Sequence, residues 1–539
     1  MLNGGQKNRP NMLLLVLDQW RYDWDGLHPD TPTGPLPLRM PFLERAAQRG
    51  TRFTQAYVPT PLCAPVRACL AAAKEYDEAG VLENHADGYP TNQTTFYRLL
   101  RDVGNYHVMS CGKDDLYKVD PRFSFYPNDH HEPPMDLGFS DAVRVAGKNK
   151  VTREGASDVY KEFLLNHPIQ IPPPSADSSS SNNNKEQLQS NAFEVYRQCI
   201  SSRRSPPGEV SICTNATFTQ EIYPDDYVQT QTMELLRRRP KDKPWFLQVN
   251  FPGPHPPLIA TAQMAASVMD REWPSPIDGT EAGWTCPQQK NNQQGTQQQP
   301  PQPQLGGRCN YAAELEHLDG LMQSIVDLVE KDQDDNKEGL IVCITGDHGE
   351  MLGDHRLSGK KVPWQPSVSV PLVCYGEPYI PVNAVYDDPV TTLDLPGTFL
   401  AAAQVAPLPD MTTQTLPTFT FPSTTAAATL DNNGDALGRA FVSSGLGEWR
   451  LVVKAIEEEE GGRKVDNSYK LICCRGQCPR FQTDGTTTTT TTSPWQRLLY
   501  NVNQDPHDMT PIINRPDIEE LLVPLLPTGW CQEVSSSNS

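Results

Sequence analysis

The sequence predicts an α/β protein with a smaller α+β domain at its carboxyl end, and three observations carry that prediction. Residues 12–17 are an unbroken apolar run that stops at Asp18, the pattern of a strand covered on both faces in a central parallel sheet. Helical and extended patterns then alternate until about residue 390. Beyond that point β-rich segments flank an acidic, glycine-containing turn region.

Taken in order, the strand at 12–17 puts Asp18 at its carboxyl end. Residues 40–49 space apolar and charged side chains as a helix does and stop at Gly50, and 51–58 is rich in strand formers. A helix follows at 95–103, extended segments at 106–110 and 245–251, and a long amphipathic helix at 312–330 leads into a strand at 339–345. Segments 448–456 and 469–474 read as an antiparallel pair joined by the acidic region around Gly461 and Gly462. A further strand near 498–502 and a helix over 516–526 complete the second unit. The expected domains are 1–390 and 391–539. Low-complexity stretches at 172–190, 288–304 and 486–492 cannot bury enough apolar surface to order themselves and read as surface insertions.

With 539 residues the chain can bury a large core, and its formal net charge of -20 argues against general attraction to nucleic acid or anionic membrane. No apolar stretch approaches the ~20 residues that span a bilayer. The run at 12–17 is too short for a secretory signal and meets Asp18 directly, so the expectation is a cytoplasmic protein, or a secretory or lysosome-like one if the amino terminus is incomplete. Thirteen cysteines permit pairing without requiring it. Cys473, Cys474 and Cys478 lack a partner pair at zinc-site spacing, which leaves a disulfide or an incidental role.

The residues that carry chemistry fall into six places. The pentapeptide Cys63-Ala64-Pro65-Val66-Arg67 holds a cysteine and an arginine one helical turn apart. Asp18 and Gln19 follow the first strand, and their oxygens suit a hard divalent cation. Thr345-Gly346-Asp347-His348-Gly349-Glu350 follows another apolar strand, at the strand end where open α/β sheets place their sites. Lys113 lies in Gly112-Lys113-Asp114-Asp115, His255 in Pro254-His255-Pro256-Pro257, and Lys360 in Gly359-Lys360-Lys361-Val362-Pro363-Trp364. His130, His131, His317 and His355 fit no such pattern and read as loop or surface residues.

In this order the motifs resemble those of the type I sulfatases of the alkaline phosphatase superfamily, over Asn11 to about Thr510. The resemblance implies a large mixed, mostly parallel sheet sandwiched by helices. It implies hydrolysis of a small-molecule or carbohydrate sulfate ester by a formylglycine made from Cys63, with a formylglycine-generating enzyme as maturation partner. Calcium or another divalent metal is expected on Asp18, Gln19, Cys63, Asp347 and His348. Catalytic roles fall to Cys63, Arg67, Lys113, His255 and Lys360: the cations neutralise a tetrahedral anion, and His255 protonates the leaving oxygen. Lys360 is preferred over Lys361 by its spacing to Trp364.

The chain also departs from the family. Gln19 stands where many members have Asp, His348 where many have Asn, and Asp115 where many have His; Ala72 and Ala73 replace a Thr-Gly pair after the cysteine motif. These departures keep open a phosphonate or phosphate ester hydrolase of the same superfamily, and an inactive sulfatase-like binder.

Overall fold

The computed structural model describes residues 9–531 apart from 29, 32–33, 85–87, 91, 117–135, 149, 153–157, 171–188, 202–217, 278–306, 334–338, 422–437, 461–462 and 479–493. Most of the three low-complexity stretches, the Gly461-Gly462 turn, His130 and His131 therefore lie outside the described residues.

Strands β1 (Asn11–Asp18), β2 (Gly50–Tyr57), β3 (His107–Gly112), β4 (Asp141–Arg144), β5 (Trp245–Pro254), β6 (Leu340–Gly346), β7 (Ser369–Tyr375), β8 (Ala384–Tyr386) and β9 (Val390–Thr391) form one nine-stranded sheet. Its order is β8-β2-β7-β6-β1-β5-β3-β4, with β9 added beside β2. The block β6-β1-β5-β3-β4 is parallel throughout, and β7 runs antiparallel to both of its neighbours. The sheet is thus mixed and mostly parallel, as the resemblance implies.

β1 shows why it is a sandwich. Strand side chains alternate between faces, and all eight residues of β1 are buried. Leu13, Leu15 and Leu17 enter a core with Leu315 and Met322 of the long helix Gly307–Gln333, whereas Met12, Leu14 and Val16 enter another with Val66, Phe96 and Phe399. Helices α1 (Pro41–Gln48), α2 (Cys63–Ala72), α3 (Phe96–Asp102), α4 (Pro224–Arg238), α5 (Gly307–Gln333) and α6 (Asp394–Ala402) supply the two outer layers.

The predicted helix at 312–330 begins five residues earlier, at Gly307. Local pattern is weak there, but Arg308 is buried and donates to Leu352 O (3.0 Å) and Pro274 O (3.1 Å), so tertiary bonds fix the first turn. α6 lies beyond residue 390 yet packs Leu395, Phe399 and Leu400 into the large-sheet core.

A second, antiparallel sheet joins β10 (Val442–Leu446), β11 (Trp449–Glu460), β12 (Arg463–Arg475) and β13 (Trp495–Asn501) in that order. The run Glu457–Glu460, expected within the turn region, is strand: Glu459 faces Lys464 across the ladder and Lys464 Nζ donates to Glu457 (2.7 Å), so opposite charges offset the poor strand propensity. One face packs Ile518 and Leu522 of α7 (Pro516–Leu522) against Val452, Leu471 and Leu499. The other packs Leu451, Ile472 and Tyr500 against Leu62 and Trp364, which flank the motif residues Cys63 and Lys360. Cys473–Cys531 and Cys474–Cys478 are disulfides, the first tying the tail after α7 to β12.

Candidate active site

Register explains the site. β6, β1, β5 and β3 are adjacent parallel strands, so their carboxyl ends lie side by side. Leu17 pairs with Gly346, which sets Asp18 beside Asp347; Asp18 pairs with Pro254, which brings in His255; and Gly112 pairs with Asn250, which brings in Lys113. Cys63 is the first residue of α2, where free backbone N–H groups favour negative charge. Asn84 Oδ1 accepts from Ala64 N (2.9 Å) and supports that helix start.

Cys63 is a free, buried cysteine at the middle of this group. Its Sγ is 2.9 Å from Lys360 Nζ and 3.2 Å from His348 Nε2. Burial pushes the thiol up, but Lys113 and Lys360 outweigh it and hold the group well below the usual thiol range. Asp18 behaves alike: burial raises it, and Lys113, His255, Arg67 and Lys360 together hold it well below the carboxylate range. His255 is lowered by burial and then by Lys360 and Lys113.

Donor atoms of Asp18, Cys63, Asp347 and His348 all lie within 4.8 Å of one another. Asp18 Oδ1 is buried with no hydrogen-bond partner among the described residues, an arrangement that costs free energy unless a cation takes the lone pair. Asp347 Oδ1 accepts from the backbone N–H groups of Gln19 and His348, both 2.8 Å, so its orientation is fixed. A proton on His348 Nδ1, donated to Gly349 O (3.1 Å), leaves the Nε2 lone pair facing Cys63. Gln19 Oε1 accepts from Lys360 Nζ (2.8 Å), and its amide nitrogen donates to Glu350. Carboxylate, imidazole and sulfur or oxygen at position 63 form a donor set suited to a divalent metal.

Arg67 is occupied by the carboxylates. It donates to Asp347 Oδ2 (2.9 and 3.1 Å) and Asp18 Oδ2 (3.2 Å), and also to Lys113 O (2.6 Å) and Asn250 Oδ1 (2.8 Å). Lys113 Nζ bridges Asp18 and Asp115, the latter at 3.3 Å. Lys361 takes a different course, its carbonyl accepting from Trp449 Nε1 (3.2 Å). The structure therefore gathers Asp18, Gln19, Cys63, Arg67, Lys113, His255, Asp347, His348 and Lys360 in one place.

Two residues of this place went unassigned by sequence reasoning. Asn250 holds Arg67, and its signal was the polar pair Gln248 and Asn250 inside a strand buried on both faces. Glu350 holds Gln19 and accepts from Leu352 N (3.2 Å). His317 pairs with Asp226 (2.6 Å) and His355 Nε2 donates to His507 O (2.8 Å), both outside the group around Cys63.

At the departures from the family, Ala73 closes α2 with φ 56°, the left-handed conformation that glycine takes most readily, and Asp115 also has positive φ. No described helix is long and apolar enough to cross a membrane.

The sulfatase family model matches residues 10–405. An arylsulfatase of Clostridium perfringens is 23% identical over 412 residues, covering 75% of this chain and 76% of the relative. A choline-sulfatase of Rhizobium meliloti is 23% identical over 482 residues, covering 84% and 80%. Among solved structures, the phosphonate monoester hydrolase of Agrobacterium radiobacter superposes with a TM-score of 0.58 at 16% identity, covering 96% of this chain and 94% of that one. A protein solved in complex with its substrate D-glucosamine-2-N,6-O-disulfate gives 0.58 at 17% identity, covering 96% and 97%.

Proposed function

The chain belongs to the sulfatase family and is a sulfatase of the alkaline phosphatase superfamily, and from that premise we propose that it hydrolyses sulfate esters through a formylglycine formed at Cys63 and a divalent metal. The observation that carries the reading is the position of Cys63: a buried side chain at a helix start, between two lysines and the Asp18, Asp347 and His348 donors.

The hydrated aldehyde would supply two hydroxyls on one carbon, one to attack sulfur and one whose deprotonation releases sulfate, and a divalent cation on Asp18, Gln19, Asp347 and His348 would favour the ionised hydroxyl. Cys63 Sγ here stands where a hydrate oxygen would lie. Lys113 and Lys360 then neutralise the outer oxygens of the sulfuryl group as charge shifts onto them. His255 gives a proton to the alcohol oxygen as the S–O bond to it breaks. Arg67, held by Asn250, keeps the two carboxylates in place against their mutual repulsion.

A sulfate ester of an aryl, alkyl or carbohydrate alcohol is the substrate class proposed. The disulfides of the second sheet support a protein that matures in an oxidising compartment. Gln19 favours a second reading, hydrolysis of phosphonate or phosphate esters, since an amide in place of a carboxylate leaves the centre more positive toward a more highly charged ester. Rates on the sulfate and phosphate esters of one phenol separate the two: equal or greater phosphate turnover rejects sulfate as the primary substrate.

Mass spectrometry of the tryptic peptide 53–67, from protein made in its own host, tests the nucleophile. The expected species is about 18 Da lighter than the cysteine form and reacts with hydrazide. Intact cysteine throughout would overturn the formylglycine mechanism and favour the non-catalytic binder.

A further inference from the structure

His255 sits in a segment that ordinary backbone hydrogen bonding cannot hold well. Of the eight residues 252–259, four are proline and carry no N–H. Two of the remaining amides go instead to buried carboxylates on different helices. Gly253 N donates to Asp225 Oδ1 (2.9 Å) at the start of α4, and Ile259 N donates to Glu314 Oε1 (2.7 Å) on α5. A side chain at 253 would lie 2.9 Å from Asp225 Oδ2, so the close approach of loop and carboxylate needs glycine.

Lys148 lies between the two anchors. Its Nζ is 2.5 Å from Glu314 Oε2, and its charge also acts on Asp225. Lys148, Glu314 and Asp225 are 3%, 1% and 0% exposed, which makes all three costly to bury unless their geometry is used. The preceding residue, Gly147, has φ 88° and lies against the stem of Lys113: a Cβ there would fall 3.1 Å from Lys113 Cδ. One turn therefore touches both a site lysine and the support of the site histidine.

We infer that Glu314 and Asp225, joined through Lys148, are positioning residues for His255: they hold the two ends of the 253–259 loop so that the imidazole meets the leaving oxygen. The inference rests on the reading of His255 as the leaving-group acid. Neither carboxylate touches the reacting atoms. The sequence motifs contain none of these three residues, because each comes from a separate element and only the fold joins them.

The test compares two double variants that both remove the buried ion pair and differ in the acceptor offered to Ile259 N–H. Lys148→Met with Glu314→Gln keeps an oxygen there, whereas Lys148→Met with Glu314→Met removes it. Each is assayed, with wild type and His255→Ala, on 4-nitrophenyl sulfate and phenyl sulfate, whose alcohols leave readily and reluctantly. His255→Ala is expected to lose about tenfold more kcat/KM on phenyl sulfate than on the nitrophenyl ester. The Met–Met variant should follow it, and the Met–Gln variant should keep the wild-type ratio. A wild-type ratio in Met–Met beside a shifted one in His255→Ala overturns this inference alone. An unshifted ratio in His255→Ala overturns the acid role of His255 and this inference with it. Should Met–Met not fold, Asp225→Asn against Asp225→Leu puts the same question to the Gly253 end, with the same two outcomes.

Discussion

Two lysines, the half-buried Lys360 and the buried Lys470, do opposite things. Lys470 on β12 meets Asp508 and Gln365 Oε1 (3.1 Å), and Asp508 Oδ2 also accepts from Gln365 N (2.6 Å). Gln365 in turn pairs with Tyr57 on the large sheet. One cation meets one anion, and their remaining bonds stitch the small sheet to the large one. Around Cys63, by contrast, Lys360 and Lys113 bear on one sulfur, and donor atoms of Asp18, Cys63, Asp347 and His348 lie within 4.8 Å of one another. The first is a one-to-one ion pair that joins two sheets; the second brings several cations and several donors of the kind that hold a divalent metal onto one small volume. Neither buried charge nor an unpartnered carboxylate oxygen marks a region as functional, since Asp508 Oδ1, like Asp18 Oδ1, has no hydrogen-bond partner among the described residues; the convergence of metal-ligating donors around Cys63 is what separates the two.

The sharpest way to break the comparison is at the two centres. Cys63→Ala should lower kcat/KM by about 10⁴-fold or more, with the melting temperature moved by no more than about 4 °C. Lys470→Met should do the reverse: about 3–5 kcal/mol less stability in denaturant titration, because Asp508 is left buried and unpaired, with turnover per folded molecule unchanged. Loss of activity in proportion to folded protein at Cys63, or an equal loss of turnover at Lys470, would remove the distinction.

A smaller effect concerns pH. Burial pushes the Glu314 carboxyl up to about 7, with Lys148 opposing and Asp225 adding to the rise; Asp226 and His317 are the next charged groups, acting on Asp225. A carboxyl raised above its unfolded value gives stability that is full below about pH 4.5 and is lost as pH rises through about 7. Unfolding free energy should fall by roughly 2–3 kcal/mol between pH 5 and 8 from this group. Glu314→Gln should flatten the curve over that window. An unchanged slope would show that the carboxyl is already ionised at pH 5.

The smallest effect is at the end of α2. Ala73→Gly removes the left-handed strain of an alanine but adds chain entropy to the unfolded state, so the expected gain is about 0.5 kcal/mol in thermal unfolding. A loss of 1 kcal/mol or more would mean that the buried Ala73 methyl, packed in the α2–α3 core, outweighs the strain.

Much of the fold was legible because burial leaves a local imprint. A strand covered on both faces must be largely apolar, so the segments 12–17 and 339–345 announced β1 and β6, and the acid beyond each carboxyl end announced where they point. The limits of α5 and of the β11–β12 hairpin were less legible, since Arg308 and the Glu457–Glu460 run take their conformation from partners far away or across a ladder.

By itself, the sequence determined which residues could carry this chemistry: a cysteine one helical turn before an arginine, acids after two buried strands, and lysines and a histidine in fixed order. That information is local, because strand ends and helix starts are written within a few residues. Only the tertiary structure decided that Asp18, Asp347, His255 and Lys113 end adjacent parallel strands, that Arg67 serves the carboxylates, and that Asn250, Glu314 and Asp225 support the site. Those facts depend on strand order and on pairings between elements up to hundreds of residues apart, which no short stretch of sequence contains.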